Sequence, residues 1–253
     1  MTRHKLDDST WAKIYRALKL TPGIYVGNEA KTRNFVNAVH WRMRTGAPWE
    51  DLPEEFGKSN SIFKRFARWS DAGIWEKVHQ HFIEDPDMEW LLIDSSVIRA
   101  HPCAAGARKK EGEQQDQSLG KSVGGFSTKI HATVDALGNP LRFILTAGQR
   151  GDAPQAIALL EGFDFGGVMA DRGYDADMIL DFIAENDATA VIPAKKNRVE
   201  ERETDWFTYK DRHLVECFFN KIKHYRAIFS RFEKYASHYM SLLSFASALI
   251  WLR

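Results

Sequence analysis

The residues best suited to chemistry lie in one stretch, at positions 209–229, with the sequence YKDRHLVECFFNKIKHYRAIF. At about 100° per residue, an amphipathic helix over this stretch has one apolar side and one polar side. The predicted apolar stripe consists of Leu214, Phe218, Ile222, Tyr225 and Phe229. The polar side, within an arc of roughly 60°, consists of Tyr209, Arg212, Glu216 and Lys223. A carboxylate between two cations suits binding of metal ions and phosphates, but the same pattern is also typical of a solvated helix face with ordinary ion pairs.

Two aspartates upstream strengthen the chemical interpretation. Asp94 in WLLIDSSV and Asp171 in GGVMADRGY each end a short apolar run that is typical of a buried strand. Open α/β sheets bind ligands at the carboxyl ends of such strands. Taken singly, Asp171 before Arg-Gly is typical of a turn, and Asp94 simply ends its strand. Together with Glu216 they predict three carboxylates that converge on a hard cation, and Mg²⁺ suits such ligands.

The spacing of the helical residues resembles a known family. Tyr209-x2-Arg212-x3-Glu216-x6-Lys223 is similar, without a departure, to the YREK signature of DDE transposases from bacterial insertion sequences. Further stretches, in the expected order, resemble the group named for insertion sequence five: LDDSTWAKI, HWRMRTGAPWEDLPEEFG, FARWSDAGIWE, IDSSVIRAH, GGFSTKIHATVDALGNPL, ADRGYDAD and VIPAKKNR. The resemblance covers nearly the whole chain. It implies that Asp94, Asp171 and Glu216 are both the catalytic triad and the metal ligands.

The resemblance also implies a reaction. Such a transposase binds double-stranded DNA at the terminal inverted repeats of its element, cleaves a strand and joins the freed 3′-hydroxyl to target DNA. Two Mg²⁺ ions, for which Mn²⁺ can substitute, clamp the attacking and leaving oxygens, with Asp94 bridging them, Asp171 on one ion and Glu216 on the other. Because two element ends must be paired, the active complex is expected to be at least a homodimer.

Several further residues are expected to contact DNA near this site. Arg212 and Lys223 are predicted to hold phosphates on either side of the scissile bond, and Tyr209 to stack on an end base or bind a phosphate. Lys129, on a predicted strand, is expected to face the same cleft. For His131 on that strand, a buried core histidine is at least as well supported as a ligand role.

The residues before position 87 have the pattern of a helical domain. Helices are predicted over 6–20, 32–44, 60–70 and 71–82. The third places Lys64, Arg65 and Arg68 opposite an apolar face, and it follows a short segment and the turn at Gly57. This order is typical of a DNA-binding helix-turn-helix, although a helical bundle with a basic solvent face is the alternative.

An acidic run over 84–89, EDPDME, predicts a domain boundary near residue 87. Beyond it, strands over 90–98, 127–135 and 141–145 predict an antiparallel meander, followed by strands over 168–171 and 190–193. Helices are predicted over 152–160, with Asp152 as cap, 176–185 and 239–252. The fold class is therefore α+β or α/β: an all-helical helix-turn-helix domain over 1–87, then a catalytic domain over 88–253. The order of elements in this second domain resembles the RNase H-like fold, a mixed five-stranded sheet flanked by helices.

The segment 101–125 separates the first two predicted strands and is rich in glycine, with three consecutive cations at Arg108, Lys109 and Lys110. Because it offers almost no apolar residues for a core, we expect it to be mobile without DNA. A segment that clamps DNA and an ordinary solvated loop are equally well supported.

The composition of the 253 residues, 44% hydrophobic and 27% charged with a net charge of +1, is that of a globular protein. Any DNA-binding surface must therefore arise from segregation of charge rather than from excess. Two cysteines, Cys103 and Cys217, are too few for a disulfide framework or a cysteine-rich zinc site. Without a signal sequence or a membrane-length apolar run, a cytoplasmic, nucleoid-associated protein with no membrane partner is expected.

Three other functions compete with transposition. Haloacid dehalogenase phosphatases also use an aspartate at the end of a first strand, but they have a second one two residues later, where this chain has Ser96. A catalytically silent repressor derived from a transposase would need none of the three carboxylates, all of which are present. A general RNase H-like nuclease or resolvase is the nearest alternative, and strand joining would distinguish it.

Overall fold

The computed structural model of this chain describes residues 4–107, 117–122, 124–198 and 202–253. Its helices are α1 (Asp8–Leu20), α2 (Glu29–Thr45), α3 (Ser59–Asp71), α4 (Ile74–His81), α5 (Ala156–Leu160), α6 (Asp177–Glu185), α7 (Trp206–Tyr209), α8 (His213–Lys223), α9 (Arg226–Phe229) and α10 (Ala236–Trp251). Its strands are β1 (Trp90–Arg99), β2 (Gly120–Ser122), β3 (Gly125–Val134), β4 (Pro140–Ala147), β5 (Gly167–Met169) and β6 (Thr189–Val191). The chain is thus a mixed helix and sheet protein.

The chain forms two compact units that are interleaved along the sequence. The helical unit comprises residues 1–83, 98–119 and 222–253, and the sheet unit comprises residues 84–97 and 120–221. The first boundary lies close to the predicted division at residue 87. A single cut at that position does not describe the units, however, because two later segments of the predicted catalytic domain belong to the helical unit.

The helical unit is built around α10. Nearly every residue of α10 from His238 to Ile250 is buried, because the helix is apolar on all sides. It packs against α3 and α4, and the rings of Trp75 and Phe245 lie 4.7 Å apart between centroids. In the described ranges, no helix has both the length and the apolar character needed to cross a membrane.

The sheet unit contains a mixed sheet with the strand order β2-β3-β1-β5-β6, and β4 pairs with β3. The pairs β1–β5 and β5–β6 are parallel, whereas β2–β3 and β3–β4 are antiparallel. The sheet therefore has six strands in the described residues, not the predicted five. The additional strand, β2, lies inside the segment predicted to be a loop, where Gly120 pairs with Ser127.

Strand β3 is covered on both of its faces. His131 and Thr133, on the side of the strand that alternates with Ile130, Ala132 and Val134, are both completely buried. Thr133 Oγ1 donates a hydrogen bond of 3.0 Å to the carbonyl oxygen of Leu159 in α5. Polar side chains are stable in this position because such partners satisfy their hydrogen-bonding groups.

The predicted helix over 209–229 is divided into several pieces. Helix α7 is followed by a 3₁₀ turn, Lys210–Arg212, then by α8 and, after a break, by α9. Tyr225 lies in the break with φ −95° and ψ 103°, which is not a helical conformation. Phe218, Ile222 and Tyr225 are buried as predicted, but Phe229 is 56% exposed. The prediction for Phe229 was wrong because the helical periodicity does not continue through the break.

Candidate active site

The register of two parallel strands brings Asp94 and Asp171 to the same edge of the sheet. In the pair β1–β5, Leu92 lies opposite Met169. Asp94 and Asp171 each follow this pair by two residues, so they extend equally far beyond it. Asp94 lies within β1, which continues to Arg99, in agreement with the predicted strand over 90–98, although the apolar run itself ends at Asp94.

Asp171 begins the 3₁₀ turn Arg172–Tyr174, and its carboxylate accepts a hydrogen bond of 2.8 Å from the backbone N–H of Gly173. A Cβ atom at position 173 would lie 2.8 Å from Asp171 Oδ1, so a side chain there would displace this carboxylate. Asp171 thus caps a turn, as its sequence context predicted, and also lies at the sheet edge with Asp94.

Helix α8 positions Glu216 by two contacts of its apolar side. The Phe218 ring stacks on the Phe143 ring of β4, with centroids 5.6 Å apart. Gly138, in the β3–β4 turn, has φ +79°, and a Cβ atom there would approach the backbone oxygen of Leu214 to 3.1 Å. A glycine at this turn therefore allows the start of α8 to lie close to the sheet.

Arg212 connects the carboxylate on the strand to the carboxylate on the helix. Its Nη1 donates to Asp94 Oδ2 at 3.0 Å, and its Nη2 forms an ion pair with Glu216 Oε1. The guanidinium carbon also lies 5.7 Å from the centre of the Tyr209 ring. Three of the four residues predicted to share a helix face are therefore in contact with one another, although a 3₁₀ turn separates α7 from α8.

The electrostatics of Asp94 indicate that its charge is influenced by the other two carboxylates. Burial raises the pKa of Asp94 above its ordinary value, and the negative charges of Asp171 and Glu216 contribute to the rise. The N–H of Ser95, which donates to Asp94 Oδ1 at 2.7 Å, and the guanidinium of Arg212 oppose it. A site with this concentration of negative charge is stabilised by a bound cation.

The donor set is suited to a hard cation, since it consists of carboxylate oxygens. Among the residues that the structure describes, however, no group of three His, Cys, Asp or Glu side chains converges closely enough to hold a metal ion. The position of Arg212 gives the physical reason, because its positive charge already neutralises Asp94 and Glu216. Metal ligation by the triad would require these carboxylates to exchange that guanidinium for the cation.

A fourth carboxylate, Asp152, lies beside this site and was not predicted to be part of it. Its Oδ1 accepts hydrogen bonds from Ser95 Oγ at 2.7 Å and from Lys129 Nζ at 2.9 Å. It does not cap the following helix as predicted, because it makes no side-chain cap hydrogen bond. Its sequence context, Gly-Asp before Ala-Pro at a predicted helix start, is that of an ordinary cap, so no sequence signal distinguished it.

Lys129 and His131 lie next to Asp152 on β3. Lys129 Nζ also donates to the carbonyl oxygen of Arg150 at 2.7 Å, and its side chain is 11% exposed. His131 Nε2 lies 2.8 Å from Thr146 Oγ1, whereas its Nδ1, 3.6 Å from Asp152 Oδ1, has no hydrogen-bond partner. Burial lowers the pKa of His131 to about 4. These contacts favour the core role of His131 over a ligand role.

The remaining predicted DNA contacts are on α8, on α3 and in the segment 101–125. Lys223 is exposed at the end of α8, and Lys64 and Arg68 are exposed on α3. Arg65 is half-buried, since its guanidinium carbon lies 4.3 Å from the centre of the Phe35 ring and its Nη2 donates to Thr32 Oγ1 at 3.0 Å. Arg108, Lys109 and Lys110 lie outside the described residues.

Known protein families match both parts of the chain. Residues 85–251 match the family described as "Transposase DDE domain", and residues 6–79 match the family described as "Putative transposase of IS4/5 family". The second match covers α1 to α3 and most of α4, and the first covers the three carboxylates.

Individual relatives agree with these families. The Brucella ovis protein named "Putative transposase for insertion sequence element IS6501" is 50% identical over 130 residues, which are 51% of this chain and 100% of that protein. An uncharacterized protein of Sinorhizobium fredii is 38% identical over 110 residues, 42% of this chain and 86% of that protein. The solved piggyBac transposase synaptic complex with hairpin DNA is 12% identical with a TM-score of 0.42, over 79% of this chain and 51% of that one, a similarity too low to establish a shared fold. By its family matches, the chain belongs to the DDE-domain transposases of insertion sequences.

Proposed function

We propose that Asp94, Asp171 and Glu216 form the catalytic and metal-binding triad with which this transposase cleaves and joins DNA strands at the terminal inverted repeats of its element. The observation that supports this assignment most directly is the contact of Arg212 with both Asp94 and Glu216. The β1–β5 register aligns the two aspartates, and one guanidinium connects Asp94 to Glu216.

The triad residues would hold two Mg²⁺ ions, which polarise the phosphodiester and generate the attacking oxygen when bound. Asp94 would hold cations together with Asp171 and with Glu216, to which Arg212 already connects it. The Ser95 N–H fixes one oxygen of Asp94, and the Gly173 N–H fixes one oxygen of Asp171. These backbone donors restrict the rotation of the carboxylates before any ligand arrives.

Arg212, Tyr209 and Lys223 would bind the DNA backbone around the scissile phosphate. Arg212 is only 19% exposed and contacts both Asp94 and Glu216, so its positive charge lies at the proposed reacting centre. A guanidinium can bind a phosphate with two hydrogen bonds, which suits it to fixing the strand in line for displacement. Lys129 would support the site from β3 through its ion pair with Asp152.

An RNase H-like architecture for the catalytic domain is supported by the mixed sheet. Its first strand bears Asp94 and pairs in parallel with the strand that precedes Asp171. A helix-turn-helix in the N-terminal domain is supported by the 3₁₀ turn Glu54–Phe56, by Gly57 and by α3. Lys64 and Arg68 would then contact DNA phosphates, with the active complex a homodimer that pairs two element ends.

Selection of bound fragments from random DNA, followed by incubation of the selected DNA with MgCl₂, tests this function. We expect enrichment of one inverted repeat, strand cleavage at its end and joining of that end to a second DNA. Cleavage without joining would instead favour an RNase H-like nuclease or resolvase. Specific binding with no cleavage would favour a silent repressor. Asp94→Asn is the control, because it should abolish both reactions while the protein stays folded.

A further inference from the structure

Tyr174 belongs to the same turn that fixes Asp171. It is the last residue of the 3₁₀ turn Arg172–Tyr174, and its backbone N–H donates to the carbonyl oxygen of Asp171 at 3.1 Å. The Asp171 carboxylate accepts from Gly173 in the middle of this turn. The directions of the Asp171 and Tyr174 side chains are therefore set by one short piece of backbone.

The hydroxyl of Tyr174 is buried without a hydrogen-bond partner in the described residues. The side chain is 1% exposed, and the oxygen has no donor or acceptor within hydrogen-bonding geometry. Buried hydroxyls are nearly always paired, because an unpaired one loses its hydrogen bonds to water without compensation. An unpaired buried hydroxyl in a native protein therefore requires an explanation.

The surroundings of this hydroxyl are acidic. Burial raises the pKa of Tyr174 far above its ordinary value, and the charges of Asp152, Asp94 and Asp171 raise it further. The phenol therefore keeps its proton and is a hydrogen-bond donor whose electrostatic surroundings include three carboxylates. Their oxygens already accept hydrogen bonds from other groups: Asp152 from Ser95 and Lys129, Asp94 from Ser95 and Arg212, and Asp171 from Gly173.

We propose that Tyr174 is a positioning residue whose hydroxyl donates a hydrogen bond to this group of aspartates when they ligate cations. This inference rests on the proposed function of Asp94 and Asp171. Metal-ligating carboxylates turn so that one oxygen faces the ion and the other accepts a hydrogen bond from the surrounding protein. Tyr174 offers such a donor, because its hydroxyl is buried and has no other partner in the described residues.

Tyr174→Phe tests the inference because it removes only the hydroxyl. A donor that is unpaired in the metal-free protein contributes no stability there, so the melting temperature without metal should be unchanged or higher. Titration with MnCl₂, followed by the rise in melting temperature, should show about tenfold weaker binding than wild type. Cleavage of terminal-repeat DNA should need about tenfold more Mg²⁺ and recover as Mg²⁺ is raised.

Tyr239→Phe is the matched control. Tyr239 is also fully buried, but its hydroxyl donates to the carbonyl oxygen of Ile228 at 2.7 Å. Its loss should lower the melting temperature by about 2 to 4 °C and leave the Mn²⁺ and Mg²⁺ titrations unchanged. Tyr174→Phe should thus weaken metal binding without lowering stability, whereas Tyr239→Phe should lower stability without changing metal binding.

Three results would overturn the inference: wild-type metal titrations in Tyr174→Phe, a loss of stability equal to that of Tyr239→Phe, or no Mn²⁺ effect on the wild-type protein. Asp94→Asn separates this failure from that of the proposed function. If Asp94→Asn stops cleavage while Tyr174→Phe behaves as wild type, only the role of Tyr174 is refuted. If Asp94→Asn cleaves normally, both proposals are refuted.

Discussion

The guanidinium of Arg212 contacts both Asp94 and Glu216, where a bound cation would also have to neutralise charge. Cation and guanidinium therefore compete for the same carboxylates. We expect Arg212→Gln to bind Mn²⁺ about tenfold more tightly than wild type without DNA, since no cation must first be displaced. The same variant should cleave DNA more slowly, because a phosphate ligand is lost. Isothermal calorimetry with MnCl₂ measures the first effect.

Lys210→Gln is the control for Arg212→Gln. It removes the same charge two residues earlier, from an exposed side chain that lies over the Phe207 ring instead of a triad carboxylate. Equal Mn²⁺ affinities in the two variants would mean that general charge, and not the contact of Arg212 with the triad, controls metal binding.

His131 provides a pH-dependent test of the sheet. Its pKa is lowered by burial from 6.5 to about 4, with Asp152 opposing the shift and Lys129 adding to it. Between these two values the unfolded chain binds more protons than the folded one, so stability is full above pH 6.5 and falls as the pH drops toward 4.

From pH 7 to pH 5 the loss attributable to His131 should be about 1 to 2 kcal/mol. Urea unfolding of wild type and His131→Gln at both pH values measures it. The glutamine has no titrating group but can still form a hydrogen bond to Thr146. His40, whose pKa burial also lowers to about 4, is present in both proteins and cancels in the comparison. The same pH sensitivity in wild type and variant would contradict the assignment.

The chemistry of single residues could be predicted only in part. Asp94 and Asp171 were recognisable because each ends an apolar run, and the parallel register then places them together. Asp152 and Tyr174 were not, because their positions depend on how β3, the turn after β5 and the segment before α5 pack. A buried hydroxyl or a shared carboxylate oxygen leaves no periodic pattern in the sequence.

The helix bearing Glu216 shows where periodicity is informative and where it fails. Apolar spacing correctly identified Phe218 and Ile222 as core residues of α8. The same spacing extended the helix to Phe229, but the chain leaves helical geometry at Tyr225 and α9 begins afterwards. Four-residue helices such as α7 and α9 are too short for a period of 3.6 residues to define their ends.

Helix α3 is the element on which the proposed DNA binding of the helical unit depends. Lys64→Ala with Arg68→Ala should weaken binding to terminal-repeat DNA and reduce the salt dependence of log K by about two, one for each lost phosphate contact. Binding measured by fluorescence anisotropy at several salt concentrations tests this. Arg65 is left unchanged because it stabilises the helix through Phe35 and Thr32.

The control for α3 is Lys13→Ala with Arg16→Ala on α1, which removes two equally exposed cations from the same unit. If both double variants weaken binding to the same extent, α3 has no specific role and the charge of the whole unit determines binding. An unchanged salt slope in the α3 variant would refute the helix-turn-helix proposal.

At the scale of the whole chain, the predicted domains follow one another in sequence, whereas the two observed units are interleaved along it. The acidic run over 84–89 predicted a boundary near residue 87, and the first segment of the helical unit ends at Ile83. The packing of α10 with α3 and α4 was not predictable from local pattern, because an all-apolar helix has no single face that indicates its partner. The core of the helical unit is completed only when α10 is present.

A fragment of residues 1–87 should therefore not fold as an independent domain. It lacks α10, so Trp75 and Phe66 would be exposed to water. Its urea unfolding, followed by circular dichroism, should show no cooperative transition. In the full chain, Phe245→Ala should cost about 3 to 5 kcal/mol, because Phe245 is fully buried against Trp75. A cooperative transition of the fragment would show instead that α1 to α4 form a complete core.

The most direct test of the triad is the reaction of Glu216→Gln with terminal-repeat DNA in MgCl₂. Glutamine keeps the size and helix propensity of the side chain but removes its charge, and Glu216 is half exposed, so folding and end binding should remain near wild type. Strand cleavage and strand joining should both fall by about a thousandfold or more, equivalent to about 4 kcal/mol of transition-state stabilisation. Both steps should fail together because one site serves both. A normal cleavage rate in Glu216→Gln, or loss of end binding in place of cleavage, would contradict the triad and leave α8 as a DNA-contacting surface.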